Sequence, residues 1–85
     1  MEKKQFNLIK IGKRIRELRE TAGFSQEDFA AQAQLGRTYY GRVERGEQNI
    51  SVQNLIHIAF ALKIEVGELI PKLKELKKPK KDKLA

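Results

Sequence analysis

The sequence predicts an all-α fold, a compact five-helix bundle, and three observations lead to it. Apolar residues recur at intervals of three and four in successive stretches between residues 8 and 70. Serine and glycine punctuate those stretches where helix caps and stops are wanted. No stretch alternates apolar and polar residues as a half-buried strand would, and no internal repeat is evident.

Residues 1–7 are read as a frayed N-terminus, with the ordered domain spanning 8–70. Leu8, Ile11, Ile15, Leu18 and Ala22 form the buried stripe of a first helix. It stops at Gly23, a residue that tolerates the left-handed conformation of a C-terminal cap. Ser25 can cap the next helix by accepting from the Asp28 N–H, and the acids Glu27 and Asp28 suit its positive end. Phe29, Ala30 and Ala33 give that helix one small apolar face, and Leu35 plugs the turn after it. A third helix, 37–45, stops at Gly46. Glu47 to Ile50 is a short extended linker with Ile50 pointing inward. Ser51 can cap a fourth helix whose stripe is Leu55, Ile58, Ala59 and Leu62. A short fifth helix, Val66 to Ile70, is anchored by Ile64, Val66 and Leu69. Leu69, Leu73 and Leu76 keep helical spacing past Pro71, which allows a short sixth helix ending near Pro79.

Composition narrows the function classes. Eighty-five residues make one domain with a core small enough that association would help it. With no cysteine there is no disulfide framework or thiolate site, which fits a reducing cytoplasm. No apolar run approaches the roughly 20 residues of a membrane span, and no signal-type segment follows the charged N-terminus. The net charge of +7 is uneven: +5 lies in the lysine-rich tail 71–85 and only +2 in the body before it. Such a tail reads as a solvated extension, so any nucleic-acid reading has to rest on a motif. His57 is the only histidine, and without partners it makes neither a metal site nor a catalytic centre. Ser25 and Ser51, the only serines, are caps. No cofactor, small-molecule ligand or enzymatic activity is expected.

The third helix carries the chemistry. At 100° per residue, Tyr40, Val43 and Glu44 share one side; Thr38, Gly41 and Arg42 fall opposite, with Arg37 at the exposed tip and Tyr39 on a flank. Arginine can bond both guanine acceptors of the major groove, threonine can touch a thymine methyl, and glycine allows close approach.

Residues Ile11 to Ile70 resemble a helix-turn-helix domain of the phage repressor/Cro type, lambda repressor-like in fold. The resemblance is carried by Gly12–Arg19, Gly23–Ala30, Arg37–Tyr39, Val43–Gly46 and Asn54–Leu62. The short length and the Arg37-Thr38-Tyr39 start are also similar to the controller proteins of restriction–modification systems. The resemblance implies a sequence-specific transcriptional regulator, repressor or activator, binding duplex DNA as a homodimer. Half-sites would lie about 34 Å apart in a palindromic operator, and RNA polymerase is a further partner if the operator sits upstream of a promoter. Together with the shared outer face it implies base contacts from Thr38 and Arg42, while Arg37 reaches either a base or a phosphate. Phosphate contacts are implied for Gln26, Gln48 and Asn49, and for Tyr39 through its hydroxyl. Arg19 and Glu44 are implied to pair across the seam between the first and third helices. Ile56 and Phe60, off the core stripe of helix four, mark the expected dimer interface.

Four positions depart from the family pattern. Gln34 stands where the turn often has Gly, and Gly36 offers no capping side chain. Gly41 weakens the third helix by roughly 1 kcal/mol against Ala, so that helix leans on packing by Tyr40 and Val43. Lys63 replaces the frequent Gly after helix four. The alternative reading is a protein-interaction module, such as an antitoxin-like partner, whose sign would be a long apolar extension.

Overall fold

A computed structural model describes residues 5–78, and every regular element among them is helical. Four α-helices come first: α1 (Phe6–Thr21), α2 (Gln26–Gln32), α3 (Arg37–Glu44) and α4 (Val52–Leu62). Two 3₁₀ turns follow, Val66–Leu69 and Leu73–Glu75. The buried centre joins Ile15 of α1, Phe29 of α2, Tyr40 of α3, Ile58 of α4 and Leu69 of the first 3₁₀ turn, none of which keeps any exposure. Phe29 stands at its middle, with ring centroids 5.3 Å from Phe24 and 5.4 Å from Tyr40. Ile50 is buried and Leu35 packs against this centre from the turn.

The caps follow from side-chain chemistry. Ser25 Oγ accepts from the Asp28 N–H and Ser51 Oγ from the Asn54 N–H, each at 3.1 Å. Gly36, at the start of α3, supplies no side-chain bond. Gly23 is left-handed, as are Gln34 and Lys63, both at φ 60°. The last two place a Cβ in a conformation that glycine adopts without strain.

Gly12 explains how α1 reaches α3. A Cβ on Gly12 would overlap the carbonyl oxygens of Val43 and Glu44, so only glycine lets the two backbones come this close. Gly46, itself left-handed, accommodates Ile9 of α1 in the same way.

Three expectations are corrected at the ends. Helix α1 begins at Phe6, inside the stretch read as frayed; Met1 to Lys4 lie outside the described residues. The fifth helix is present, as the 3₁₀ helix Val66–Leu69, and ends one residue early, because Pro71 forces Ile70 into extended backbone (φ −100°, ψ 127°). In place of a sixth helix there is the single turn Leu73–Glu75, with Leu73 exposed and Leu76 half-buried.

The segment from Pro71 to Lys78 therefore folds back along α1 and does not leave the body as a free arm. Asn7 and Lys77 exchange two bonds: Asn7 Nδ2 donates to Lys77 O at 3.0 Å, and Lys77 N donates to Asn7 Oδ1 at 2.8 Å. Lys77 Nζ also sits 4.7 Å from the centre of the Phe6 ring. Residues 79–85, the rest of the lysine-rich tail, lie outside the described residues.

Gly12→Ala should lower the unfolding free energy by about 1–3 kcal/mol, as overpacking does. Lys63→Gly should raise it by about 1 kcal/mol by removing a left-handed Cβ. Urea midpoints with circular dichroism check both. An unchanged midpoint in Gly12→Ala would mean α1 and α3 lie further apart than this packing requires.

Candidate nucleic-acid interface

Helix α3 is short, lacks a side-chain cap and carries an interior glycine, so its orientation has to come from what it packs on. Tyr40 and Val43 anchor its inner face, and Glu44 ties it to α1 and α2. Arg19 Nε donates to Glu44 Oε2 at 2.7 Å and Nη2 to Glu44 Oε1 at 3.1 Å, a two-pronged pair. The remaining face of the guanidinium is used too: Nη1 donates to Phe24 O at 2.8 Å. Gln26 Nε2 completes the set by donating to Glu44 Oε1 at 2.9 Å. The paired side chains keep only 8% and 2% of their surface exposed, so the pair is a buried one.

Its electrostatics follow from that environment. Burial alone would push the Glu44 carboxyl up, but the Arg19 bond, the nearby Tyr40 hydroxyl and the Gln26 amide outweigh it, and the group is held below its ordinary value. Bonding to Glu44 raises the Arg19 guanidinium further, against the opposing effect of burial. The Tyr40 hydroxyl has no partner in hydrogen-bond geometry although it is buried. Burial first, and then the neighbouring Glu44, push its ionisation far above the ordinary tyrosine value.

The outer face of α3 presents Arg37, Thr38 and Arg42, all exposed. Arg37 Nη1 lies 3.3 Å from Glu27 Oε2 in a solvent-exposed pair. Such pairs hold side chains weakly, so Arg37 is free to leave it. Gly41 is not on this face. It is buried, and a Cβ there would stand 3.2 Å from Arg45 Nη1 and 3.3 Å from Gln26 Oε1. The wheel missed this because the start of α2 and the returning Arg45 side chain cover that flank. Close approach to a ligand is therefore not what Gly41 provides; it makes room for two side chains.

The flanking residues sit differently from one another. Gln26, half-buried, is turned inward to Glu44 through its amide nitrogen. Tyr39 is half-buried, with its ring against the core and its hydroxyl accepting from Asn54 Nδ2 at 2.9 Å. Gln48 is half-buried and Asn49 exposed, in the linker that follows Gly46. Arg45 and Asn54 escaped the sequence reading. Arg45 Nε pairs with Glu47 Oε1 at 3.2 Å on this side of the molecule. The sequence reading placed it inside the third helix; the structure ends α3 at Glu44 and makes Arg45 its C-cap. Asn54 was hidden behind the Ser51 cap it serves.

His57 donates its Nδ1–H to Ala33 O at 2.9 Å, which ties α4 to the end of α2. Among the described residues no three His, Cys, Asp or Glu side chains converge as a metal site would need, and no helix is long and apolar enough to cross a membrane.

Two helices at a tight turn, the second braced from behind and exposing arginine and threonine in front, define a helix-turn-helix protein. Residues 15–69 match the model of the helix-turn-helix family, well over half of the chain, and the chain belongs to that family. It is similar to the control protein C.MunI of Mycoplasma sp, 45% identical over 62 residues that cover 72% of this chain and 84% of that one. Among solved structures it resembles the restriction-modification controller protein C.AhdI from Aeromonas hydrophila. That match has 49% identity and a TM-score of 0.73, and covers 74% of this chain and 96% of that one. It also resembles C.Esp1396I bound to a 19 base pair DNA duplex, at 31% identity and a TM-score of 0.70, over 76% of this chain and 87% of that one.

Removing either partner of the buried pair should be costly. Arg19→Ala or Glu44→Ala should lose about 3–5 kcal/mol, whereas Arg16→Ala, in the exposed pair with Glu20, should lose under about 1 kcal/mol. Because Glu44 is held below its ordinary value, its contribution is complete above the unfolded carboxyl's pKa of about 4.3 and fades as pH falls through the lower folded value. Stability below about pH 4.3 should therefore fall more steeply in the wild type than in Glu44→Gln. Denaturant midpoints between neutral and acid pH measure both effects.

Proposed function

We propose that this chain is a sequence-specific DNA-binding transcriptional regulator, not an enzyme, that acts as a homodimer on a palindromic operator. The observation that carries the reading is the row Arg37, Thr38 and Arg42, exposed on a helix whose angle is set from behind by the buried Arg19–Glu44 pair. The resemblance to controller proteins, one of them bound to a duplex, supports it.

In this reading α3 enters the major groove. Thr38 and Arg42 meet base edges there, and Arg37, released from Glu27, takes a base or a phosphate. Gln26, Tyr39, Gln48 and Asn49 hold the backbone on either side. Gln26 has a second amide hydrogen and its oxygen to use while it stays bonded to Glu44.

The dimer is supported by the face of α4. Phe60 is 79% exposed, and with Ile56 it borders two hollows, one beside Gln34 and His57 and the other beside Ile64 and Val66. A protruding ring next to hollows, the one beside Ile64 and Val66 mainly apolar, can be self-complementary about a two-fold axis, as a dimer interface must be. The DNA-binding domain is proposed to include Phe6 to Lys78. Control would follow protein concentration in the cytoplasm, and polymerase would be contacted only where the operator lies beside its site.

Selection of random duplex DNA by the purified protein tests the reading; the absence of any enriched palindrome at moderate salt would remove it. On the selected duplex, Arg42→Ala should weaken binding by roughly 1–3 kcal/mol and relax preference at one base pair per half-site. An equal loss on all sequences would reassign Arg42 to the backbone. Phe60→Glu should give a folded monomer, because the charge enters a desolvated interface and not the core. Sedimentation and circular dichroism check this, and an unchanged dimer would place the interface elsewhere.

A further inference from the structure

One hydrogen bond joins the start of α4 to the flank of α3, from Asn54 to Tyr39. Asn54 lies in the first turn of α4, where its backbone N–H already serves the Ser51 cap. Its side chain reaches back to the flank of α3, and Nδ2 donates to Tyr39 Oη at 2.9 Å. The Tyr39 ring packs against the core, which sets where its oxygen stands and leaves the direction of its one proton to its hydrogen-bond partners.

A phenol hydroxyl has one hydrogen to give and lone pairs to receive. With the Asn54 N–H occupying the acceptor side, the proton has to point away from α4. We infer that Asn54 is a positioning residue for DNA binding: it holds the Tyr39 hydroxyl as an outward-facing donor, preset for a backbone phosphate oxygen. This rests on the reading of α3 as the DNA-facing helix. A preset donor needs no reorientation on binding, and a neutral donor against an anionic oxygen forms one of the stronger hydrogen bonds. The pair also fixes where the start of α4 stands relative to the start of α3.

The substitution that separates this role from a structural one is Asn54→Asp. A carboxylate only accepts, so it keeps a hydrogen bond to Tyr39 but reverses it: the hydroxyl proton turns inward and a lone pair faces the phosphate. The fold should hold, since an acid in the first turn of a helix is favourable. The added charge weakens DNA binding by itself, and the same substitution in a Tyr39→Phe background measures that effect alone. Asn54→Ala removes the bond without reversing it and should fall between wild type and Asn54→Asp.

The experiment is a double-mutant cycle on the duplex selected from the random pool, with thermal melts to confirm folding. Tyr39→Phe should bind about tenfold more weakly per half-site. Asn54→Asp should cost about tenfold more in the Tyr39 protein than in the Tyr39→Phe protein. A duplex with a methylphosphonate at the contacted position should weaken the wild type and leave Tyr39→Phe unaffected. Equal costs of Asn54→Asp in the two backgrounds, or wild-type binding by Tyr39→Phe, would overturn the inference while leaving the DNA reading intact. Failure of the wild type to select any duplex would overturn both.

Discussion

Everything the α3 face can do depends on the buried pair between Arg19 and Glu44. Three segments meet there: α1 gives the arginine, α3 the carboxylate, and the turn into α2 gives the Phe24 carbonyl and then Gln26. Each charge lost its water on burial, and the attraction between them does little more than repay that loss. What the pair contributes is geometry. A planar guanidinium gripping both carboxylate oxygens accepts one relative orientation of the two helices, which two apolar side chains would not dictate. Gly12 and Gly46 serve the same end from the backbone side, since without them α1 would stand too far off for the grip to form.

Behind that brace, the side chains around α3 fall into two kinds. Gln26 and Tyr39 each have one bond to the protein, and in the proposed reading each keeps another valence for a phosphate. Thr38 and Arg42 stand exposed, their side chains making no bond to the described residues. The division has a physical sense. Phosphates occupy the same places in every duplex, so their partners can be preset and lose little freedom on binding. Base edges differ with sequence, and a reader of bases has to find its own geometry at each site. Arg37 is intermediate, held to Glu27 by a pair too exposed to resist a better partner.

Most of the fold was legible in the sequence because it is written in local signals. Ser25 and Ser51 cap where their hydroxyls can reach an N–H three residues on, and the stripes of α1 and α4 follow helical spacing. The exposure of Phe60 was readable from the same wheel that buries Ala59. What was not legible depends on where elements meet. Gly41 looks outward on an isolated wheel, and only the crossing of α2 and the course of Arg45 bury it. The bond from Asn54 to Tyr39 joins residues fifteen apart through the placement of two helices, with no pattern in the chain to announce it. The clasp of Lys77 on Asn7 spans seventy residues, and the leucine spacing there pointed to a helix where the chain makes a single 3₁₀ turn.

That clasp changes how the charge of the chain should be understood. Asn7, Lys10 and Arg14 lie along one side of α1, while Ile9 and Gly12, which meet the end of α3 and its following turn, lie on nearly the opposite side. Folding back along the first side, the segment from Lys72 to Lys78 carries its four lysines on the flank of α1 away from α3. Electrostatic attraction falls off within about 8 Å at physiological salt, so charges across a helix diameter of about 10 Å count for little at the α3 face. The +3 of that segment, four lysines against Glu75, is therefore not charge that the α3 face presents. A hold on DNA of arbitrary sequence is made of phosphate neutralisation, and in the proposed reading the folded-back segment adds little to it. Discrimination between sites is correspondingly less masked by general adhesion.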